Sequence, residues 1–126
     1  DRFGRRPVFS SFAVGAAIVV ALYGNLATSP FWLFVLGPFV GFLGHGYFSV
    51  FGALLAEIFP TSFRATAQAF CYNGGRALSS LAPLTIGWVA DRHGMGGALG
   101  ISAGFFLVSA LIVYTLPETR GKELPV

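Results

Sequence analysis

The chain has 126 residues, of which 55% are hydrophobic and only 10% are charged, and its mean hydropathy is +0.73. A soluble domain carries about 25% charged residues, so this composition excludes a fully water-covered surface and indicates a membrane protein. The single cysteine, Cys71, excludes an internal disulfide and a cysteine-rich metal site.

Four stretches of the chain are long and apolar enough to cross a bilayer, which takes about 20 predominantly apolar residues. Turn-forming residues such as proline, glycine and asparagine separate them. We name the stretches span a (about 7–27), span b (about 31–58), span c (about 65–89) and span d (about 95–116). The sequence therefore predicts an all-α membrane protein with four transmembrane helices.

The basic residues outside the spans are unevenly distributed between the two sides of the predicted bundle. One side carries only Arg92. The other side carries six basic residues, namely Arg2, Arg5, Arg6, Arg64, Arg120 and Lys122. Because Lys and Arg in short loops favour the cytoplasm, we expect both chain ends, the loop 59–64 and the tail 117–126 to be cytoplasmic. We expect a multi-pass protein of the inner or plasma membrane.

Spans b and c contain the polar residues that lie within the predicted membrane region. These residues are His45 in span b and Gln68, Tyr72, Asn73 and Arg76 in span c. At helical spacing, Gln68, Tyr72 and Arg76 fall on one face. Since a charge near the bilayer centre costs about 2.5–3.5 kcal/mol, such residues face a protein interior or a water-filled cavity. We predict that spans b and c line a substrate cavity, with spans a and d outside them against lipid.

Each of these polar residues also has a purely structural interpretation. Arg76 either extends its guanidinium toward the cytoplasmic end of its helix or binds an anionic substrate or a carboxylate on another helix. His45 either carries or senses a coupled proton or is a satisfied packing residue. Gln68, Tyr72 and Asn73 either bind substrate in the cavity or hydrogen-bond neighbouring helices.

Glycine and proline residues inside the spans indicate close helix contacts and possible bends. Span d contains Gly96, Gly100 and Gly104 at intervals of four, a spacing that lets helices approach closely, and Gly37 and Gly41 repeat it in span b. Proline residues at positions 38 and 83 each remove a backbone donor inside a span. Either proline forms a static kink or a moving hinge.

Enzymatic and nucleic-acid-binding functions find no support in the sequence. It contains no zinc-protease or phosphate-loop motif, and two histidines with one cysteine do not make a metal cluster. The basic residues lie at membrane edges rather than in a patch interleaved with aromatic residues. We therefore expect no catalytic residues, no metal, no cofactor and no nucleic-acid partner.

Three short motifs in the predicted cytoplasmic segments resemble those of one membrane-protein family. Residues 1–6, DRFGRR, resemble the loop motif of the major facilitator superfamily, roughly G-x-x-x-D-R-x-G-R-R. Residues 57–64, EIFPTSFR, resemble the E-x6-R element after the tenth helix of sugar porters and metabolite:proton symporters. Residues 117–121, PETRG, resemble the PETxG element after the twelfth helix. The motifs occur in the family's order and together cover the chain.

The resemblance implies that residues 1–126 are the C-terminal part of a transporter domain and form helices nine to twelve of a twelve-helix fold. Those helices are part of the C-terminal six-helix bundle. The implied function is proton-coupled symport of a small metabolite, an organic acid or a sugar, by alternating access. The implied partners are the lipid bilayer, the substrate, protons and the remaining helices of the full-length transporter. A non-transporting receptor or structural membrane protein on the same fold is the alternative.

The resemblance also implies a cytoplasmic gate in which an arginine of the first motif pairs with Glu57. An exposed ion pair contributes only about 0–1 kcal/mol, but a partly buried network is enough to bias a two-state switch. In the alternative interpretation, the arginines only anchor the cytoplasmic ends of the helices. The predicted gate residues are Asp1, Arg2, Gly4, Arg5, Arg6, Glu57, Arg64, Glu118 and Arg120.

Overall fold

The computed structural model describes residues 2–26 and 28–123, and this part of the chain is helical and contains no β-strand. Four α-helices follow one another, with a short 3-10 helix at Val113–Thr115 after the last. The helices are α1 (Arg5–Leu26), α2 (Pro30–Ile58), α3 (Arg64–Ser79) and α4 (Ala82–Ile112). The all-α prediction is confirmed.

Three helical stretches are long and apolar enough to cross a membrane by length and composition: Arg5–Leu26, Pro30–Ile58 and Arg64–Thr115. The third has 52 residues. At about 1.5 Å per residue it would measure about 78 Å if straight, more than twice the thickness of the hydrocarbon core. A stretch of this length is therefore long enough to cross the membrane twice if it reverses within it.

Gly94 provides this reversal inside α4. Its backbone has φ 76° and ψ 172°, a conformation that glycine adopts without steric cost. Residues on both sides of Gly94, at 78–86 and at 101–109, line one shared cavity of 650 Å³, so the chain folds back on itself here. The predicted turn between spans c and d is thus reduced to a single residue.

Span c differs from the prediction because its helix is interrupted. Helix α3 ends at Ser79, and α4 begins at Ala82, one residue before Pro83. The proline ring would clash with the carbonyl four residues earlier and offers no N–H, which explains the break. The Ser79 and Ser80 hydroxyls donate to the carbonyls of Arg76 and Ala77 at 2.9 and 2.7 Å. Both carbonyls also accept the Ser80 N–H, at 3.1 and 3.3 Å, so each has a second donor where the helix ends.

Helix α1 lies between α2 and the second arm of α4, residues 95–112, and contributes more buried hydrophobic residues than any other described helix. Its buried face consists mainly of small residues, such as Ala13 and Ala17. It runs antiparallel to both neighbours, since Phe9 contacts Tyr47 and Phe51 of α2, while the Ser10 hydroxyl donates to the carbonyl of Ala110. Helix α1 thus packs on span b and on span d, and that spans a and d lie outside spans b and c, against lipid, stays a prediction.

The predicted glycine contacts occur only in part. A Cβ added at Gly96 would lie 3.2 Å from the carbonyl oxygen of Gly24, so α1 and α4 approach closely there. The other four glycines of the two predicted series have open space around them, and these are Gly37, Gly41, Gly100 and Gly104. Within residues 2–26 and 28–123, Gly96 is therefore the position of the two series at which helices pack closely.

Candidate functional site

The candidate site lies where α1 begins, α2 ends and the chain leaves the last helix. The antiparallel packing of α1 against both neighbours brings these three points together. We call the residues that meet there the tail-end cluster. Its members are Gly4, Arg5, Arg6, Glu57, Glu118 and Thr119.

Arg5 and Glu57 form the ion pair at the centre of the tail-end cluster. Arg5 Nη2 lies 2.6 Å from Glu57 Oε1, and Arg5 Nε lies 3.2 Å from both carboxylate oxygens. Two-pronged contact of this kind is the strong geometry for a guanidinium and a carboxylate. The side chains are 27% and 20% exposed. The pair is therefore less screened by solvent than a surface ion pair, and removing one partner leaves a partly buried charge.

Thr119 gives the Glu57 carboxylate its second partner. The threonine hydroxyl donates to Glu57 Oε2, and the residue is only 6% exposed. Thr119 is not among the predicted gate residues, because an uncharged hydroxyl in a polar tail carries no signal of its own. The available signal was its position between two predicted gate residues, Glu118 and Arg120.

Glu118 caps the beginning of α1 from the tail. Its carboxylate accepts the backbone N–H of Arg5 at 3.0 Å and of Arg6 at 3.3 Å. The first N–H groups of a helix lack partners within the helix, and a negative charge there is favourable. The same carboxylate accepts N–H groups of its own tail, from Thr119 at 3.1 Å and Arg120 at 3.2 Å. One side chain thus joins a helix end to the tail.

These contacts also set the protonation of Glu118. Desolvation by burial raises the pKa of its carboxyl group. The backbone N–H donors of Arg5, Arg120, Arg6 and Thr119 lower it, and together they hold the pKa below its ordinary value of 4.5. The group is therefore ionised at neutral pH, which is the form that accepts four N–H groups.

Gly4 allows the chain to pass close to the Glu118 carboxylate. It is buried, and its φ of 88° lies in the left-handed region that favours glycine. A Cβ at this position would lie 3.1 Å from Glu118 Oε2. A side chain here would therefore be strained and would also crowd the carboxylate that caps α1.

Arg6 contacts the chain near the end of the last helix. Its Nη2 donates to the carbonyl oxygen of Leu116, and its buried Nε has no partner among the described residues. Arg64 donates from Nε to the Phe59 carbonyl at 3.1 Å, within the loop that follows α2. Arg2 is exposed. The structure thus places Arg6 in the cluster and Arg2 on the surface.

A cavity of 510 Å³ lies beside the tail and the tail-end cluster. Arg120 is exposed and lines it together with Lys122, Arg5 and Glu57. Of the predicted gate residues, Arg120 therefore contributes its backbone N–H to Glu118 and its side chain to this cavity. The predicted gate residue Asp1 lies outside the described residues.

The predicted cavity residues lie on α2 and α3, and three of those on α3 contact one another or α2. Arg76 donates to the Tyr72 hydroxyl at 3.4 Å, and its guanidinium carbon lies 5.7 Å from the centre of the Tyr72 ring. Gln68 donates to the carbonyl of Gly52 at 3.5 Å, and Tyr72 stacks edge-on against Phe48. These contacts join α3 to α2. Helix α3 has no buried residue in the described part of the chain.

His45 contacts that group through Phe48, with 6.4 Å between the ring centres, while the hydrogen bonds of His45 and Asn73 are local. The His45 Nδ1 lies 3.2 Å from the carbonyl of Gly41, and the Asn73 amide donates to the carbonyl of Ala69 at 2.8 Å. Each of these bonds stays within its own helix. Both residues are exposed, so their rings or amides remain accessible for contacts outside the described helices.

The chemistry of both groups is that of reversible polar contacts. In residues 2–26 and 28–123, no group of three or more His, Cys, Asp or Glu side chains is positioned to hold a metal ion. The tail-end cluster is an ion pair with a hydroxyl partner and a capped helix end, all of which can form and break without covalent change. The α3 group offers a guanidinium, a phenol and an amide as hydrogen-bond partners.

Known proteins of one family match this chain in sequence. Residues 1–125 match the family described as Major Facilitator Superfamily. The chain is 36% identical over 125 residues to a metabolite transport protein of Haemophilus influenzae, covering 98% of this chain and 30% of that protein. It is 36% identical to a protein of Cupriavidus pinatubonensis named for 4-methylmuconolactone transport, covering 96% of this chain and 28% of that protein.

A third relative has a name that specifies another compound. The cis,cis-muconate transport protein of Acinetobacter baylyi is 35% identical over 127 residues, covering 98% of this chain and 29% of that protein. The chain thus spans less than a third of the length of each of these relatives.

Proposed function

The chain belongs to the Major Facilitator Superfamily, and we propose that the full-length protein moves a small organic acid across the cell membrane by proton-coupled symport. The family match and the names of the relatives assign the chain to a group of transporters and not to enzymes. The described helices form part of a multi-pass membrane protein with a small-molecule substrate. Beyond the family, we propose that the substrate is an organic acid and that a proton moves with it in the same direction.

The tail-end cluster is the observation that carries the proposal, and we assign it the role of a cytoplasmic gate. Arg5 and Glu57 join the beginning of α1 to the end of α2, and Glu118 joins α1 to the tail. In alternating access, two bundles rock around a central site, and contacts at one end form while those at the other end break. A partly buried ion pair with added hydrogen bonds supplies the few kcal/mol that bias such an equilibrium.

An organic acid is the substrate class that Arg76 favours over a sugar. Its guanidinium is exposed on α3, and among the described residues no acidic side chain pairs with it. A charge retained in a membrane helix is costly and marks a functional position, and a guanidinium binds carboxylates through two parallel bonds. Two relatives are named for muconate and methylmuconolactone transport, and muconate is a dicarboxylate.

Other exposed polar groups complete the proposed cavity. Tyr72 and Gln68 lie along α3 beside Arg76, where a phenol and an amide can hydrogen-bond a bound acid. Asn73 is exposed one position along the same helix. His45 on α2 is the proposed proton-responsive group, because its imidazole is exposed and can accept or donate a proton.

Uptake by cells carrying the full-length gene tests this function. Labelled cis,cis-muconate, 4-methylmuconolactone and glucose are supplied with and without a proton uncoupler. We expect uptake of one of the two muconate-related compounds, and we expect the uncoupler to abolish it. Uptake that persists with the uncoupler would contradict proton coupling. Glucose uptake alone would contradict the organic-acid assignment, and no uptake by a correctly inserted protein would favour a receptor.

A matched pair of variants tests the role of Arg76. Arg76→Gln removes the charge, and Arg92→Gln removes a charge of the same kind at the other end of the fold, where the Arg92 guanidinium lies 4.1 Å above the Trp88 ring. We expect Arg76→Gln to reduce uptake about tenfold or more, because a buried or cavity-facing ionic contact contributes about 1.5–3 kcal/mol. We expect Arg92→Gln to retain uptake. Equal effects would indicate a general structural role.

A further inference from the structure

Thr119 is the uncharged polar side chain of the tail-end cluster that contacts Glu57. It is 6% exposed, and Thr119 is the one buried polar or charged residue among those described. Its hydroxyl donates to Glu57 Oε2, while Arg5 approaches the same carboxylate from another side. The carboxylate therefore has two different donors, one on α1 and one on the tail.

The backbone of Thr119 is itself held in place. Its N–H donates to Glu118 Oε1 at 3.1 Å, and the same oxygen accepts the N–H of Arg5 at 3.0 Å. After Thr119 the chain turns, because the Lys122 N–H donates to the Thr119 carbonyl at 3.2 Å and Gly121 adopts φ 68°. Glu118 thus fixes the position from which the hydroxyl reaches Glu57.

We infer that Thr119 is a positioning residue of the gate, whose hydroxyl holds the Glu57 carboxylate in the orientation that Arg5 binds. This inference rests on the proposed function, because it assigns a role within the same gate. A carboxylate with one donor rotates about its side-chain bonds, whereas two donors on different elements define its plane. The strength of the contact between α1 and α2 then depends on Thr119, an uncharged residue of the tail.

The opposite view is that Thr119 only fills space next to the end of α2. The two views differ in what they predict for the hydroxyl group alone. Valine has nearly the shape of threonine and lacks the hydroxyl, while serine keeps the hydroxyl and loses a methyl group. A positioning role requires the hydroxyl, so serine is expected to substitute for threonine and valine is not.

Opening of the gate can be measured by labelling a cysteine placed behind it. The full-length protein carries Ala69→Cys in a background with Cys71→Ser and its other cysteines replaced. Ala69 is exposed in the second turn of α3, three residues before Tyr72 and therefore on the same side of the helix. A membrane-impermeant maleimide is applied to inside-out vesicles, and the labelling rate reports how often the cytoplasmic end is open.

We expect Thr119→Val to raise the labelling rate about tenfold, since hydrogen bonds to ionised groups are stronger than neutral ones. We expect Thr119→Ser to label like the parent. Thr115→Val is the matched control, because Thr115 is exposed and its hydroxyl donates to the carbonyl of Ile112 at 2.7 Å, away from the cluster. It is also expected to label like the parent.

A Glu57→Gln variant separates this inference from the gate itself. If Glu57→Gln raises labelling and Thr119→Val does not, the positioning role of Thr119 is wrong and the gate stands. If neither variant changes labelling, the proposed gate is wrong, and the inference is lost with it. Equal increases for Thr119→Val and Thr119→Ser would also overturn the inference. If Thr119→Val does not insert, Thr119→Ala is measured instead with the same criteria.

Discussion

The Glu118 carboxylate accepts N–H groups from two parts of the chain, the start of α1 and its own tail. A capping residue usually belongs to the helix that it caps and lies immediately before it. Here the cap comes from more than a hundred residues along the chain. The helix end and the tail are therefore stabilised together, and a change in one is transmitted to the other.

Acid is expected to weaken this cap. Because N–H donors outweigh desolvation and hold the Glu118 pKa below 4.5, its stabilising effect is complete above that pH and is lost as the pH falls through the lowered pKa. We expect Glu118→Gln to lower the free energy of unfolding of the full-length protein by about 1 kcal/mol at neutral pH. The difference should shrink below about pH 4.5. Thermal melting from pH 7 to pH 3 measures it.

The matched control for this experiment is Glu123→Gln, which removes an exposed acidic residue of the same tail. It is expected to melt like the parent at every pH. A constant difference between Glu118→Gln and the parent across the whole range would contradict the assignment, since it would mean that the ionised form of Glu118 is not what caps α1.

Two glycines with positive φ offer a further comparison at the residue scale. Gly4 has φ 88° and lies against Glu118, whereas Gly121 has φ 68° and has open space around it. An alanine in this region costs about 1–2 kcal/mol of backbone strain. We therefore expect Gly4→Ala to destabilise the protein by about 2–3 kcal/mol and Gly121→Ala by about 1 kcal/mol, as measured by thermal or denaturant unfolding. Equal losses would show that contact with Glu118 adds nothing.

At the scale of whole elements, α1 determines how the described helices are arranged. Its small residues allow α2 and the second arm of α4 to pack on either side, and glycines on those neighbours admit its larger side chains. At Gly46, an added Cβ would lie 2.5 Å from the Phe12 ring. At Gly44, two residues earlier in α2, nothing lies within 4 Å.

This difference gives a prediction within one helix. We expect Gly46→Ala to destabilise the protein by about 1–3 kcal/mol, because overfilling a packed contact forces side chains or backbone to move. Gly44→Ala is expected to be neutral or slightly stabilising, since alanine is the better helix former. Melting temperatures of the two full-length variants in detergent compare them directly. A larger loss for Gly44→Ala would mean that α1 and α2 pack in another register.

Hydrophobicity and turn residues in the sequence were enough to predict an all-helical membrane protein, because a bilayer demands long apolar segments. The break at Ser80 was only partly predictable. Pro83 signalled a disturbance, but whether the helix bends or stops depends on local partners such as the serine hydroxyls. The glycine spacing alone did not show where helices approach, since Gly100 has the same interval as Gly96 but nothing among the described residues within 4 Å of an added Cβ.

The candidate site could also be predicted from the sequence only in part. Charge and motif spacing pointed to Arg5, Glu57 and Glu118, and the structure places these residues in one cluster. That they act as a gate stays a prediction. The N–H groups that Glu118 caps and the hydroxyl of Thr119 could not be predicted, because neither a backbone group nor a neutral side chain announces its tertiary partner.

At the scale of the whole molecule, the described helices divide into a packed part and an open part. Helix α1, α2 and the second arm of α4 contact one another, while α3 has no buried residue among those described. The relatives are more than three times longer than the matched region. We propose that helices elsewhere in the full-length protein cover part of α3, and that its polar side faces the substrate path.

The central claim is that the Arg5–Glu57 pair is the cytoplasmic gate of a transporter. A double-mutant cycle on uptake tests it most directly, using Arg5→Gln, Glu57→Gln and the double variant with the labelled acid that the uptake screen identifies. The backbone N–H of Arg5 that Glu118 accepts is kept in all of them. We predict that each single variant reduces the uptake rate about tenfold. The double variant should take up the acid no more slowly than the single variant with the lower rate. Losses that multiply to about a hundredfold, or no loss at all, would contradict the account.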